Sequence, residues 1–178
     1  MIAGVDEVGR GCLAGPVVAA SVILKSPIKG LMDSKKLSSK KREDLSQVII
    51  ENSIFAIGAA DNQEIDQINI LQASLLAMQR SLEKLGVKPK KVLVDGPHIF
   101  ETSIAIESIV GGDNLIPSIS AASIVAKVYR DRLMTAYSKE FPNYGFDKHK
   151  GYPTKLHKEM LKRYGLTRIH RKTFKGVN

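Results

Sequence analysis

The 178 residues, 43% hydrophobic and 25% charged, have the balance of a globular chain long enough to bury a core without staples. With one cysteine, Cys12, an internal disulfide and a cysteine-based zinc cage are excluded, and with no Trp and 6% aromatics the core must be aliphatic. The formal charge of +9 points to anionic partners; no apolar stretch is long enough to span a bilayer, and an acidic pair by residue 7 excludes a secretory leader, so the expected compartment is cytoplasmic, with no membrane contact.

In chain order, Ile2 to Val8 predicts a short strand that ends at the turn Gly9-Arg10-Gly11. Val17 to Leu24 is an apolar, β-branched run bounded by Pro16 and Pro27, the pattern of a buried strand. Ser38 or Ser39 can cap a helix running towards Glu51, and Ile54 to Ala60 predicts a third strand. Asp61 with Glu64 makes a capping box for a helix whose apolar period runs through Ile68, Leu71, Leu75, Met78, Leu82 and Leu85 until Gly86 closes it. Lys91 to Asp95 and Ile104 to Val110 predict strands four and five. A long helix is expected from Ser120 to about Glu140, with Ile124, Val128 and Leu133 on its buried side. Pro142 to Gly151 predicts a polar loop, and Pro153 the first turn of a last helix that Gly165 terminates. Strands interleaved with helices give an α/β fold with a mixed sheet, its first strands paired as an antiparallel meander. With no repeat and no linker, one domain is expected: a core over 1–140 and a basic helical extension over 141–178 packed on it.

Charge is unevenly spread. Residues 1–126 hold 13 Lys/Arg against 14 Asp/Glu, while residues 127–178 hold 14 against 4. A basic block without an accompanying Trp or Phe stripe favours phosphate backbones over membranes.

Four acids occupy unexpected places. Asp6-Glu7 ends an apolar strand, Asp95 ends Val92-Leu93-Val94, and Asp113 follows Gly111-Gly112 beyond the fifth strand. Acids at the ends of neighbouring strands can converge at one sheet edge, where α/β proteins place their sites. Clustered carboxylates resist ionisation unless a cation sits among them, and all-oxygen donors suit magnesium or manganese and not zinc. Two such ions about 4 Å apart activate a water and stabilise the leaving oxygen of a phosphodiester. Adjacent strand residues point to opposite faces, so Asp6 and Glu7 face one ion only if the strand ends or bulges there. Each acid also has a plain alternative as a turn or cap residue. The glycines near residue 10 have the wrong spacing for a dinucleotide fingerprint, and neither a phosphate-binding loop lysine motif nor HExxH is present. His98, His149, His157 and His170 lack close metal-ligand spacing, so surface or phosphate-facing roles are expected.

These residues also carry a family resemblance. Ile2-Ala3-Gly4-Val5-Asp6-Glu7-Val8-Gly9-Arg10-Gly11 resembles the opening motif of bacterial ribonuclease HII. So do Asp33-Ser34-Lys35-Lys36-Leu37, Glu64-Ile65-Asp66 with Asn69-Ile70-Leu71, Val94-Asp95-Gly96, Ser120-Ala121-Ala122-Ser123-Ile124 with Ala126-Lys127, Arg130-Asp131-Arg132, and His149-Lys150-Gly151-Tyr152-Pro153-Thr154. The motifs run in family order from residue 2 to about 154. The chain opens on its first strand, which fits ribonuclease HII better than ribonuclease HIII, whose members carry an extra N-terminal domain.

The resemblance implies a ribonuclease H-like fold whose catalytic and metal-binding acids are Asp6, Glu7, Asp95 and Asp113, holding two Mg2+ or Mn2+ ions. It implies an endoribonuclease acting on RNA–DNA hybrids and on single ribonucleotides embedded in duplex DNA, leaving 5′-phosphate and 3′-hydroxyl ends. Gly9, Arg10 and Gly11 would contact the ribose 2′-hydroxyl, the group that separates RNA from DNA. Tyr152 would pack on the sugar of the deoxynucleotide that follows. Ser34, Lys35, Lys36, Ser120, Ser123 and Lys127 would contact phosphates; no obligate protein partner is implied. One departure stands out: the family has a lysine-glycine pair before the last acid, where this chain has Gly111-Gly112. Two other readings fit the same residues: a non-catalytic nucleic-acid-binding module, and a metal-dependent nuclease of other specificity, such as a DNA resolvase.

Overall fold

A computed structural model describes residues 1–31 and 38–177. Five strands, β1 (Ile2–Val8), β2 (Val17–Leu24), β3 (Ser53–Ala60), β4 (Lys91–Asp95) and β5 (Ala105–Ile109), form one mixed sheet in the order β3-β2-β1-β4-β5. The first three pair antiparallel, as the meander requires, and β4 and β5 add in parallel beside β1. Helix α1 (Ser39–Glu51) starts at Ser38, whose side chain accepts from Lys41 N–H. Helix α2 is Asn62–Glu83, α3 Pro117–Glu140, α4 the single turn Phe146–His149, and α5 Lys155–Tyr164. Among the described residues no helix is long and apolar enough to cross a membrane.

The alternation of β1 and β2 divides the interior into two apolar layers. Val5, Val17, Ala19, Ala73, Ala77 and Met78 lie on the α2 side, and Val18, Ala20, Ile49, Ala121 and Ile124 on the α1/α3 side. Both helices approach closely through small residues. A Cβ on Gly58 would come within 2.1 Å of the Ala77 carbonyl oxygen, and one on Gly4 within 2.2 Å of the Ser118 main chain. Gly4→Ala must therefore part β1 from α3, an overpacking expected to cost about 1–3 kcal/mol, read from urea unfolding.

Three sequence expectations are corrected here. Helix α2 bears its capping box at Asp61 and Glu64 but is broken at Asn69, which has φ 68°. The Asn69 side chain accepts from Gln72 N–H at 3.1 Å and starts the second half afresh. Ile68, just before the break, is exposed; beyond it Met78, Leu82 and Leu85 of the expected period are buried, and the small residues Ala73, Ala77 and Ser81 share the buried side with them. In α3, which starts at Pro117 and not Ser120, Ile124 and Val128 are buried but Leu133 is only half-buried; Met134 takes the interior position. The stretch 142–151 is no plain polar loop: Tyr144 and Phe146 are buried, stack at 5.5 Å and join Leu13, Ala14, Met134, Leu161 and Ile169 in a third apolar cluster. Pro153 precedes α5, which Thr154 caps by accepting from His157 N–H.

Candidate active site

The parallel partner of β1 stops early. Val5 pairs with Val94, and β4 ends at the next residue, Asp95. Asp6 and Glu7 thus sit where one edge of β1 is released, beside Asp95. Asp113 follows in a 3-10 turn, Gly112–Asn114, whose Asp113 N–H donates to Asp95 Oδ1 at 3.2 Å. All four acids thus lie at or just beyond the ends of the neighbouring strands β1, β4 and β5.

β1 carries no bulge at this point, since its pairing with β2 is continuous from Gly4 to Val8. Asp6 and Glu7 accordingly take opposite faces. Asp6 is 5% exposed, lies beside the Ser123 hydroxyl of α3 and accepts from Glu7 N–H at 2.7 Å. Glu7 lines a cavity of about 120 Å³ with Arg10, Ser74, Met78, Asp95 and His98 on the α2 side. Asp95 lies between them. Among the described residues no three acidic, histidine or cysteine side chains are gathered closely enough to hold a metal ion as placed.

Burial, followed by the neighbouring Glu7 carboxylate, raises the Asp6 carboxyl well above its usual range; Asp95 adds to this and the Ser123 hydroxyl opposes it. Burial also raises Glu7, against the pull of Arg10, whose guanidinium lies 3.3 Å from Glu7 Oε1. The second oxygen, Glu7 Oε2, is buried without a hydrogen-bond partner. Crowded carboxylates that resist ionisation, one with an orphaned buried oxygen, have the chemistry of a hard-cation site.

Beyond β1 the chain turns through Gly9, at φ +93°. A Cβ on Gly9 would strike Arg130 Nε at 2.2 Å, whereas one on Gly11 would meet open space. Arg10 is exposed. Across from this turn, Tyr152 is 37% exposed, with Lys127 Nζ 5.6 Å from its ring centroid and the Cys12 thiol near its phenol. Lys127 also binds Asp131 Oδ1 at 2.7 Å. Ser34, Lys35 and Lys36 lie outside the described residues. Ser120 is a correction: it is fully buried and its hydroxyl donates to the Leu31 carbonyl at 2.7 Å, so it braces α3 and does not face a phosphate.

The histidines are a second correction. His98 is exposed, but His149, His157 and His170 are buried around Phe146. Thr167 N–H donates to His170 Nδ1 at 2.9 Å, which leaves His170 Nε2 as donor to His157 Nε2 at 3.0 Å. His157 Nδ1 then donates to the Tyr152 carbonyl at 3.0 Å. The relay is complete with both rings neutral, and burial holds each at about 4. No sequence spacing marks it, because its members come from different elements.

Sequence reasoning noted Arg130 only as part of a motif, without a role, and did not single out Arg171. Arg130 and Arg171 are both fully buried, so two of the cations of the basic block face the interior. Burial draws Arg171 down to about 10, still protonated at neutral pH.

The family model for ribonuclease HII matches residues 3–177. The chain is 54% identical to the ribonuclease HII of Pelagibacter ubique, over 100% of this chain and 97% of that one. It is 56% identical to that of Shewanella piezotolerans, over 98% and 88% respectively. Its structure is similar to that of the ribonuclease H2 of Pyrococcus horikoshii, with a TM-score of 0.82 and 28% identity over 99% of this chain and 94% of the other. The acids at the sheet edge, the glycine turn and the mixed five-stranded sheet thus stand in a chain that belongs to the ribonuclease HII family and is a ribonuclease H endonuclease.

Proposed function

We propose that Asp6, Glu7, Asp95 and Asp113 bind two Mg2+ or Mn2+ ions and cut RNA paired with, or embedded in, DNA. The observation that carries this reading is the buried, partnerless Glu7 Oε2 at the strand end beside Asp95, which in turn accepts from Asp113 N–H. When bound, such ions activate a water and stabilise the leaving oxygen, which gives 5′-phosphate and 3′-hydroxyl ends. The chain's own residues bind and orient. Asp6 is held by Glu7 N–H beside Ser123, and Asp95 accepts from Asp113 N–H. Gly11, with open space where a Cβ would be, lets the main chain of the turn approach a ribose 2′-hydroxyl. Tyr152 offers a half-open ring face to the following deoxyribose, and Lys127 beside it is placed for a phosphate. The substrates are RNA–DNA hybrids and DNA with single embedded ribonucleotides.

The test is a labelled duplex carrying one ribonucleotide. Cleavage is expected to stop in excess chelator and to return with magnesium or manganese. Undiminished cutting in chelator would overturn the metal mechanism, and binding without cutting under every ion would favour a non-catalytic module.

A further inference from the structure

The turn at residues 9–11 and the loop carrying Tyr152 are far apart in sequence yet joined main chain to main chain. Leu13 N–H donates to the Gly151 carbonyl at 2.8 Å, and a Cβ on Gly151 would come within 2.6 Å of the Ala14 carbonyl oxygen. Arg130, on α3, lies between them. Its Nη1 donates to the Lys150 carbonyl at 2.8 Å, two residues before Tyr152. Its Nη2 donates to the Ala14 carbonyl at 3.0 Å and its Nε to that of Pro16 at 2.9 Å, while its side chain closes against Gly9. Arg171 holds the same turn: Nη2 donates to the Gly9 carbonyl at 2.7 Å, Nη1 to that of Arg10 at 2.9 Å, and Nε to that of Gly15 at 3.0 Å. Each guanidinium thus spends three donors on main-chain carbonyls, in a rigid plane that only arginine supplies.

We propose that Arg130 and Arg171 are positioning residues that set the separation between the Gly9-Arg10-Gly11 turn and Tyr152, and thereby the spacing at which a 2′-hydroxyl and the deoxyribose after it are read together. The proposal rests on the substrate roles given above to the turn and to Tyr152. Neither arginine touches substrate. A lysine in either place keeps the charge but has one point of donation in place of a fork, so carbonyls of the turn lose their partners and the turn moves relative to the loop. A substrate with one junction requires both contacts in one register. A long hybrid offers the enzyme many registers and tolerates the shift better.

Arg130→Lys and Arg171→Lys are compared with Ile49→Ala, which opens a cavity in the α1/α3 layer, and with Tyr152→Ala. Each is assayed for kcat and KM on the single-ribonucleotide duplex and on a long hybrid, at a temperature where melting curves show it folded. For the lysine variants, kcat on the single-ribonucleotide duplex is expected to fall about tenfold or more relative to the hybrid, as small misplacements do. Affinity for an all-DNA duplex should stay within about twofold, because no phosphate contact is lost. Ile49→Ala should leave the substrate ratio unchanged. A wild-type ratio in folded lysine variants overturns the proposal, as does an equal shift in Ile49→Ala, or failure of both lysine variants to fold at any temperature, which would make the guanidiniums general supports. If Tyr152→Ala moves the ratio and the arginine variants do not, positioning alone fails; if Tyr152→Ala does not move it, the underlying reading of the junction fails first.

Discussion

Asp6→Asn is expected to lower cleavage by more than about a hundredfold, beyond the loss typical of a residue that only supports a metal ligand, while raising the melting temperature of the metal-free protein. The two effects have one cause. Asp6 is buried beside Glu7 and Asp95, and its ionised form is disfavoured by all three circumstances. A carboxyl whose folded pKa lies above its unfolded value binds its proton more readily in the native state. Native stability therefore falls as pH rises from the ordinary carboxylate value towards the raised one, and the full penalty persists above that. Asn removes the charge and keeps the shape and the contact with Ser123. The gain in melting temperature should be present at neutral pH and vanish below the ordinary carboxylate range. Added magnesium should narrow it, since a cation offsets the repulsion only where the acid is present. An Asn variant that cuts normally, or that melts earlier at neutral pH without metal, would sink this account of the site.

Tyr152→Ala is the second large effect. On a duplex with one embedded ribonucleotide its kcat should fall on the order of a hundredfold, the scale of a misplaced reacting group, with a smaller loss on a long hybrid. Tyr152→Phe should retain most activity, because the ring face does the packing. The buried Cys12 thiol that neighbours the phenol has its own acceptor in the Lys150 carbonyl at 3.7 Å and does not need the hydroxyl. Replacing Gly11 by Val should hurt both substrates alike, since its Cβ would project into the open space through which the main chain meets the ribose. Cleavage rates on both duplexes, with circular dichroism to confirm folding, decide the matter. Equal losses for Tyr152→Ala on the two substrates would mean that this loop does not read the junction.

Much of the architecture is legible in sequence because it depends on local pattern. The apolar runs at Ile2–Val8 and Val17–Leu24, the Asp61/Glu64 box and the position of Asp95 at a strand end all follow from neighbours a few residues away. What could not be read depends on partners distant in sequence. Asn69 sits inside an unbroken apolar period, and its positive φ is visible only in three dimensions. Tyr144 and Phe146 look like residues of a polar loop until Leu13, Met134 and Leu161 arrive to cover them. Ser120 and Ser123 stand three apart on one helix, yet one is spent on the Leu31 carbonyl and the other reaches Asp6. Arg130 and Arg171 count as surface charge in any composition, and only the enclosing carbonyls show otherwise.

The bond from Arg171 to the Gly9 carbonyl spans 162 residues, and that to the Arg10 carbonyl 161. During synthesis the turn is among the first segments made, and the guanidinium that holds it arrives almost an entire chain length later. Contacts of such separation must close a large loop before they return any stabilisation, so they form late in folding. The last residues of the chain thus fix the geometry of one of its first turns, so the conformation of the turn depends on docking of the C-terminal segment.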